Sequence, residues 1–463
     1  MGLGKSGFAA AKFLHDRGSR VRVTEGSEKK EALESAHFLK SLGVPVETGG
    51  HTTEFIKGSQ LIVTSPGVSK KSLPLVAAFK LKIPVISEIE LASFFCSGLK
   101  VAVTGSNGKT TTSHLIHRIL RDAGKPTALC GNVGYSFLDA LREIDKKTIV
   151  VIELSSFQLE DTPSFHPKIS VVLNISPNHL DRHGSMENYI AAKEKIFKNQ
   201  QKTDTLILNY DDPVVRAMAK KTKSDVLYFS RSYLERGVFE RAGKIIIRKS
   251  GKETVFLDCR HFKLKGAHNL QNILAAASAA FTLKISSKSI QKSLNSFETL
   301  EHRLESVGTL SGIHFVNDSK STTTESTRAA IMAVDTPMIL IAGGRDKGAL
   351  FEKIEPVIKE RVKAVVIYGE AREKIARAWK SFDRYHLEED FRNAVTLAFR
   401  IASSGDSLLL SPMCTSFDQF SCFEERGEIF KEIFKELKAK KSYMGTRSPK
   451  ASSPRITSTP ALH

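Results

Sequence analysis

The chain has 463 residues, which is enough for about three domains that each enclose a core of their own. Hydrophobic residues make up 41% and charged residues 26%, an ordinary balance, and no apolar run reaches the ~18 residues of a membrane span. The N-terminus carries no export signal, and the five cysteines are scattered without a C-x-x-C pair. This cysteine pattern argues against disulfides and a zinc site and favours the reducing cytoplasm.

The formal net charge of +19 raises the question of nucleic-acid binding. Six of the basic residues follow position 437, where no acidic residue occurs, and the remainder are spread without a dense block or interleaved aromatic residues. An anionic small substrate explains the charge equally well, so charge alone does not identify a partner.

Residues 1–95 are predicted to form a small α/β unit. GLGKSG has the glycine spacing of a dinucleotide fingerprint and leads into an amphipathic helix, followed by a strand at Val21–Val23. No strand precedes Gly2, so either the first strand of the unit is encoded upstream of Met1 or it has been lost, and we expect the former. LIVTSPGVS predicts a buried strand and a Pro-Gly turn, which either meets a ligand with its N–H groups or is a plain β-turn.

The strongest motif is KVAVTGSNGKTTTS, at the start of a unit predicted over residues 96–297. A short apolar run, a glycine turn and a helical pattern follow one another, which is the geometry that aims backbone N–H groups at a phosphate. Gly105 and Gly108 allow close approach, Lys109 can reach the phosphates, and Thr110 can place a hydroxyl on Mg²⁺. The commonest P-loop spacing would require glycine at Val103, but the flanking strand and helix still predict ATP or GTP binding.

Two further strands of this unit end in polar residues. TIVVIELSSFQLE predicts a strand at Thr148–Ile152 that ends in Glu153, the usual place for a Mg²⁺ ligand or a water-orienting group beside a P-loop. A carboxylate that caps the next turn is the alternative. VVLNISPNHLDRHGS predicts a strand at Val171–Ile175 and a loop in which His179 is a candidate metal ligand.

Other polar side chains of the unit have competing interpretations. CGNVG exposes Asn132 on a glycine-bracketed turn, and GAHNLQN places Asn269 and Asn272 on a first helical turn, where they suit a base or ribose edge or a helix cap. By pattern alone, Lys193 is a surface lysine at helical spacing from Tyr189.

A third α/β unit is predicted over residues 298–440. Three of its strands lead into polar turns, NDSKSTTTEST, GGRDKG and MCTSFDQFSCFEERG, which predicts a ligand crevice at the carboxyl ends of the strands. Residues 441–463 are rich in Ser, Pro and Thr and are predicted to be a disordered basic tail.

Together these motifs resemble those of the Mur ligases, in order and spacing, over nearly the whole chain. The segments that carry the resemblance are TGSNGKTT, CGNVG, ELSSFQLE, LNISPNHLDRHGSMENYIAAKEKIF, GAHNLQN, EHRLE, NDSKST, GGRDKG and LSPMCTSFDQFSCFEERG. SSFQLE and SFDQFSCFEERG are most similar to the members that add D-glutamate. The resemblance implies an α/β fold of three domains. The N-terminal domain would be Rossmann-like and bind the UDP-linked substrate, the central domain would be P-loop ATPase-like and bind ATP, and the C-terminal domain would be Rossmann-like and bind the amino acid.

The resemblance also implies a reaction. Family members use ATP to phosphorylate a carboxylate, and the amine of an amino acid then attacks the acyl phosphate. Here the implied substrates are UDP-N-acetylmuramoyl-L-alanine and D-glutamate, joined in cytoplasmic peptidoglycan synthesis by a monomer that binds neither nucleic acid nor membranes. Mg²⁺ and a carbamylated Lys193 complete the implied centre, which reverses the surface interpretation of that lysine.

Site residues follow from the resemblance by position. The implied catalytic residues are Lys109, Glu153, His179 and Lys193, and the implied metal ligands are Thr110, Glu153, His179 and Lys193. The nucleotide would contact Gly105, Ser106, Asn107, Gly108, Lys109, Thr110, Thr111, Asn269, Asn272, Arg303 and Asp318. The substrates would contact Lys5, Ser6, Ser65, Pro66, Gly67, Asn132, Gln158, Lys320, Thr322, Lys347, Ser416 and Phe423.

Three alternatives stay open at this point. A ligase of the same superfamily that resembles folylpolyglutamate synthase would keep the centre and change both outer domains. A basic P-loop ATPase that binds nucleic acid would show hydrolysis with a steep salt dependence. A non-catalytic scaffold would have no need of the lysine, threonine, acidic residue and histidine that the sequence retains.

Overall fold

The computed structural model describes residues 1–264, 266–297, 301–334, 336–379 and 381–445. The chain divides into two compact units, Met1–Glu298 and Thr299–His463. Most of the predicted tail, residues 446–463, lies outside the described residues. Residues 441–445 belong to the last helix, so the prediction that the disordered tail starts at 441 is wrong for them. Among the helices in the described ranges, none combines the length and apolar character that a membrane crossing requires.

The first part of unit one contains two parallel strand pairs, β1 with β2 and β3 with β4. The backbone of Met1 and Gly2 lies between them, because Met1 N donates to Val63 O (2.7 Å) and Gly2 N donates to Thr24 O (2.9 Å). The start of the chain therefore bridges the two strand pairs through these two bonds. The elements are α1 (Lys5–His15), β1 (Val23–Thr24), α2 (Lys30–Ser41), β2 (Val46–Glu47), β3 (Ile62–Thr64), α3 (Leu73–Lys80), β4 (Val85–Ser87) and α4 (Glu88–Phe95).

The second part of unit one is built on a nine-stranded sheet of order β13-β12-β11-β10-β9-β8-β5-β7-β6. The strands from β11 to β6 run parallel, and β12 and β13 are antiparallel additions at one edge. The elements are β5 (Leu99–Thr104), α5 (Lys109–Asp122), β6 (Thr127–Gly131), α6 (Phe137–Ala140), β7 (Ile149–Glu153), α7 (Ser156–Leu159), β8 (Ile169–Val172), α8 (Leu180–His183), α9 (Met186–Glu194), β9 (Thr205–Asn209), α10 (Pro213–Ala217), β10 (Asp225–Ser230), β11 (Gly237–Arg241), β12 (Lys244–Lys249), β13 (Lys252–Asp258), α11 (Ala267–Thr282) and α12 (Ser287–Ser296).

The central strands of this sheet are apolar throughout because they are buried on both faces. β5 lies between β7 and β8, and the side chains of Val101, Ala102 and Val103 are fully buried because helices cover both faces. α5 turns its apolar stripe, which includes Leu115 and Ile119, into this core. Parallel neighbours end at the same edge, so the loops after β5, β7 and β8 meet there.

Unit two has a six-stranded sheet of order β14-β15-β19-β16-β17-β18, in which only β14 is antiparallel to its neighbour. The carboxyl ends of β15, β19 and β16 are therefore adjacent, as the three polar turns predicted. The elements are β14 (Glu305–Leu310), β15 (Ile313–Asn317), α13 (Thr324–Ala333), β16 (Met338–Gly343), α14 (Glu355–Arg361), β17 (Ala364–Tyr368), α15 (Arg372–Ala378), β18 (Tyr385–Glu388), α16 (Phe391–Ile401), β19 (Ser407–Met413) and α17 (Phe423–Gly445).

Glu88, the first residue of α4, is a buried carboxyl group that gives the fold a pH dependence. Its Oε1 accepts a hydrogen bond from Leu138 N (2.9 Å), and burial raises its pKa to about 7. The folded state therefore favours the protonated form, and stability is lost as pH rises from the ordinary carboxyl pKa through about 7.

We expect Glu88→Gln, which keeps the acceptor without the charge, to remove this loss. The variant should match the wild type near pH 4 and exceed it at pH 8 by about 3 kcal/mol in the free energy of unfolding. Urea unfolding across this pH range measures the difference, with the exposed Glu143→Gln as the control. Parallel pH profiles for the Glu88 variant and the wild type would contradict the prediction.

Candidate functional site

The loop between β5 and α5 has the geometry of a phosphate-binding turn. It spans residues 105–108, and α5 begins directly at Lys109 after Gly108, whose φ is +82°. The Lys109 ammonium folds back over the loop and donates to the carbonyls of Gly105 (2.8 Å) and Ser106 (2.9 Å). The N-terminus of a helix and an ammonium group beside it form an anion site.

The segment after β8 fixes the shape of this loop. Ser106 Oγ donates to Ser176 O (3.0 Å) and also contacts the Tyr189 hydroxyl (2.9 Å). Asn107 N donates to Asn174 Oδ1 (2.8 Å). Because these bonds use side chains and backbone of a neighbouring strand end, the loop is preorganised before any ligand binds.

Glu153 lies at the end of β7, as the sequence predicts, at the sheet edge where the loops after β5, β7 and β8 meet. Its side chain is buried, with 1% of its surface exposed. Oε1 accepts a hydrogen bond from Asn132 Nδ2 (2.8 Å), whereas Oε2 has no hydrogen-bond partner among the described residues. A buried carboxylate oxygen without a partner is costly, and a bound cation would satisfy it. Asn132, a predicted substrate contact, is here the partner of that carboxylate.

Lys193 is buried in α9, with 1% of its surface exposed, so the pattern-based interpretation as a surface lysine is wrong. Its ammonium donates to Gly105 O (2.9 Å) and Thr104 Oγ1 (3.3 Å). Burial, together with the positive charge of Lys109, holds its pKa well below the ordinary range, while Glu153 opposes that shift. The two lysines therefore share one carbonyl, and the second of them favours the neutral amine.

His179 lies on the turn after β8 with a left-handed backbone (φ +55°) and is the N-cap residue of α8. Its ring contacts the edge of Phe157, with 4.8 Å between centroids. Gln158 accepts hydrogen bonds at Oε1 from Ser155 N (3.0 Å) and Ser155 Oγ (3.1 Å), which makes it part of a helix capping box. Gln158 is predicted to contact the substrate, and capping of α7 is an alternative role for it.

The threonines and asparagines of the predicted nucleotide site lie on two packed helices. Thr110 and Thr111 are buried in the first turn of α5, and Thr111 Oγ1 has no partner among the described residues. Asn272 accepts from Thr112 Oγ1 (3.3 Å) and donates toward Asn269 Oδ1 (3.4 Å). The N-terminus of α11 is thus close to the phosphate loop.

The predicted N-terminal contacts also come together. Lys5 and Ser6 open α1, directly after the turn at Gly4. Ser65 donates through Oγ to Gly2 O (3.3 Å), and its carbonyl accepts from Val68 N (3.1 Å), so Pro66 and Gly67 form the centre of a β-turn over the glycine fingerprint.

In unit two, most of the predicted residues follow the carboxyl ends of β15, β16 and β19, whereas Arg303 precedes β14 and Phe423 is the first residue of α17. Asp318 is fully buried and accepts from Leu304 N (3.2 Å) and Ser411 Oγ (2.8 Å). Burial raises its pKa to about 6, against the effect of the neighbouring Arg303 guanidinium.

The turn after β16 and the loop after β19 are joined by two backbone bonds between Arg345 and Thr415 (2.9 and 3.0 Å). This pairing places the turn that carries Lys347 beside the loop that carries buried Ser416. The Lys320 ammonium lies 5.0 Å from the centroid of the Phe423 ring, and Thr322 is half-buried just before α13.

The sequence did not reveal Arg426 as a structural centre of unit two. This arginine is completely buried and donates to Ser319 O (2.8 Å), the Tyr368 hydroxyl (3.1 Å) and Cys414 O (3.3 Å). It joins α17 to the turns after β15 and β19. In the sequence, only its place in the FEERG segment could have indicated this role, since a single arginine adds nothing to a pattern of apolar residues.

Comparisons with known proteins agree with this architecture. Family models match residues 1–87 (Mur ligase MurD-like, N-terminal domain), 103–280 (Mur ligase middle domain) and 302–414 (Mur ligase, glutamate ligase domain). The chain is 42% identical over 438 residues to the UDP-N-acetylmuramoylalanine--D-glutamate ligase of Koribacter versatilis, which covers 94% of this chain and 96% of that protein. The corresponding protein of Pelotomaculum thermopropionicum is 40% identical over 441 residues, or 95% and 97% of the two chains.

Among solved structures, a pseudomurein peptide ligase type C from Methanothermus fervidus superposes with a TM-score of 0.60 at 18% identity. The match covers 94% of this chain and 98% of that one, so the two proteins share a fold.

Gly108→Ala tests the close approach of the loop to α11. An added Cβ would lie 2.3 Å from Asn272 Oδ1, at a φ that disfavours side chains. We expect roughly tenfold weaker ATP binding by titration calorimetry, because Asn272 or the loop must move.

The matched control is Gly124→Ala at the other end of α5, where φ is +69° and no atom lies within 4 Å of the added Cβ. It should cost stability through backbone strain alone, about 1 kcal/mol, and leave ATP binding unchanged. Equal ATP affinities of the two variants would contradict the predicted clash.

Proposed function

The chain belongs to the Mur ligase family, and from that premise we propose that it is a UDP-N-acetylmuramoylalanine--D-glutamate ligase (EC 6.3.2.9) of peptidoglycan synthesis, driven by ATP. The relatives that carry this name cover nearly the whole chain, including both outer domains. The observation that carries the proposal is the convergence at one sheet edge of the phosphate loop, the partnerless oxygen of Glu153 and buried Lys193.

The chemistry requires two steps. A carboxylate oxygen of UDP-N-acetylmuramoyl-L-alanine attacks the γ-phosphorus of ATP, and the bond to the ADP oxygen breaks. The amine of D-glutamate then attacks the acyl carbon, a proton leaves the nitrogen, and the bond from carbon to phosphate oxygen breaks. A carboxylate is a poor electrophile, so phosphorylation supplies the leaving group. Lys109 and the N–H groups at the start of α5 would hold the phosphates and neutralise charge as the phosphoryl group moves.

The residues present fit a divalent cation. The oxygen donors are the buried Glu153 carboxylate and the Thr110 hydroxyl, and His179 is an imidazole donor on the adjacent turn. Together with Lys193 these residues would hold Mg²⁺. When bound, Mg²⁺ supplies charge neutralisation between phosphate and carboxylate oxygens.

Lys193 would act as a carbamate rather than as a cation. A lysine whose pKa is depressed by burial and by Lys109 is partly neutral, and a neutral amine adds CO₂ with loss of a proton. The product is an anionic oxygen donor. It would replace repulsion between two neighbouring ammonium groups by attraction and contribute to the metal site.

The remaining site residues have proposed roles by position. Lys5, Ser6, Ser65, Pro66 and Gly67 would contact the uridine diphosphate, and Asn132 and Gln158 the rest of that substrate. Asn269, Asn272, Arg303 and Asp318 would contact the nucleotide, and Lys320, Thr322, Lys347, Ser416 and Phe423 D-glutamate. Both carboxylates of D-glutamate suit an ammonium group and hydroxyl donors. We propose that the protein acts as a cytoplasmic monomer on these small molecules, without nucleic acid or membrane partners.

Phosphate release tests the amino-acid specificity. With ATP and UDP-N-acetylmuramoyl-L-alanine present, we expect D-glutamate to support turnover at least about 100-fold better than L-glutamate, L-lysine or diaminopimelate, since the site must match the spacing of two carboxylates and the configuration that directs the amine to the acyl carbon. Turnover with another of these amino acids but not with D-glutamate would refute the specific assignment.

A second experiment tests Lys193. Lys193→Ala should lose at least about 100-fold in kcat, because an anionic group of the centre is removed, and added short-chain carboxylic acids should restore part of it. Lys198→Ala, which alters an exposed lysine of the same segment, is the control and should retain activity. Near-wild-type turnover of the Lys193 variant would rule out the role.

A further inference from the structure

One arginine connects the β-turn at residues 65–68, here called the 65–68 turn, to α8, which follows His179. Arg182 Nη2 donates to Val68 O at 3.0 Å, across 114 positions of sequence. The turn is closed by the bond from Val68 N to Ser65 O (3.1 Å), so the acceptor carbonyl belongs to its last residue. A half-buried guanidinium, 23% exposed, thus fixes the exit of the turn.

The same guanidinium also packs against an aromatic ring. Its central carbon lies 4.2 Å from the centroid of the Phe157 ring, and Glu160 Oε2 lies 3.9 Å from Nη2. Phe157 in turn contacts the ring of His179 at 4.8 Å and stacks on His183 at 5.1 Å with an interplanar angle of 15°. The contacts therefore run from the 65–68 turn through Arg182 and Phe157 to His179.

We propose that Arg182 is a positioning residue that sets the 65–68 turn relative to the His179 turn. The proposal rests on the proposed function, in which the 65–68 turn contacts the uridine diphosphate and His179 serves the reacting centre. A guanidinium suits this task because its plane stacks on a ring while its edge donates to a carbonyl. Binding of the nucleotide-sugar end of the substrate at the 65–68 turn would then also position the His179 turn, which lies at the centre where the substrate's carboxylate reacts.

A second contact, made by the chain just beyond the turn, provides the comparison. Lys70, two residues beyond the turn, forms an ion pair with Asp161, which neighbours Glu160. This pair ties the residues beyond the turn to the segment after α7, whereas Arg182 lies on α8. Attachment of the turn region to its neighbours therefore does not depend on Arg182 alone, and Arg182 ties it to α8 and to the Phe157 ring.

Kinetics distinguish positioning from cohesion. Arg182→Met should raise KM for UDP-N-acetylmuramoyl-L-alanine and lower kcat, each roughly tenfold, while KM for ATP stays within about twofold. Arg182→Lys keeps a donor for Val68 O and loses the planar stack, so KM should recover to within about threefold and kcat should stay low. Lys70→Met should change KM less than about threefold and leave kcat unchanged.

Amide hydrogen exchange provides a readout that does not need activity. In the ligand-free protein, Arg182→Met should raise the exchange rates of the Val68, Arg182 and His183 amides at least about tenfold, because both turns lose their common anchor. Arg216→Met, which removes a guanidinium stacked 4.8 Å from the Tyr210 centroid, should leave these amides unchanged.

Adding UDP-N-acetylmuramoyl-L-alanine to the wild type should protect the 180–184 amides, and Arg182→Met should abolish that protection. Unchanged exchange in ligand-free Arg182→Met would overturn the proposal, as would equal kinetic effects of the Arg182→Met and Lys70→Met variants. An inactive wild type that binds no substrate would refute the proposed function instead, and the ligand-free exchange would still decide the role of Arg182.

Discussion

The carbonyl of Gly105 is the point on which the centre of unit one depends, because it accepts hydrogen bonds from two ammonium groups. Burial and the positive charge of Lys109 hold the pKa of Lys193 well below its ordinary range, and Glu153 opposes this shift only in part. The ligand-free centre is thus electrostatically incomplete. In the proposed function, phosphate oxygens beside Lys109 and an anionic group at Lys193 would complete it.

Local patterns predicted the parts of this centre that local geometry determines. A glycine turn between an apolar strand and an amphipathic helix places Lys109 and Thr110, and a strand end places Glu153, wherever the sheet is parallel. Lys193 could not be predicted in this way, since a lysine on a helix is ordinarily exposed and its burial depends on packing against the loop. Resemblance to the Mur ligases supplied its role, and its burial agrees with that role.

Residues that act over long sequence separations left no local signal. Arg182 and Val68 are 114 positions apart, and Arg426 reaches Ser319 over 107 positions. Single arginines have no periodicity, so only the fold reveals their partners. Gln158 shows the converse limit, because a residue expected to contact substrate also completes a capping box that its own sequence neighbours determine.

Arg426 also has a consequence for the order in which the chain assembles. The turns after β15 and β19 are joined by a guanidinium that belongs to the last helix, and Ser319 is synthesised 107 positions before it. During translation, the carboxyl edge of this sheet has no cation to satisfy the carbonyls of Ser319 and Cys414 until residue 426 has left the ribosome. The carboxyl edge of the sheet of unit two therefore closes only once the last helix has been made, whereas the loop after β5 in unit one can form earlier.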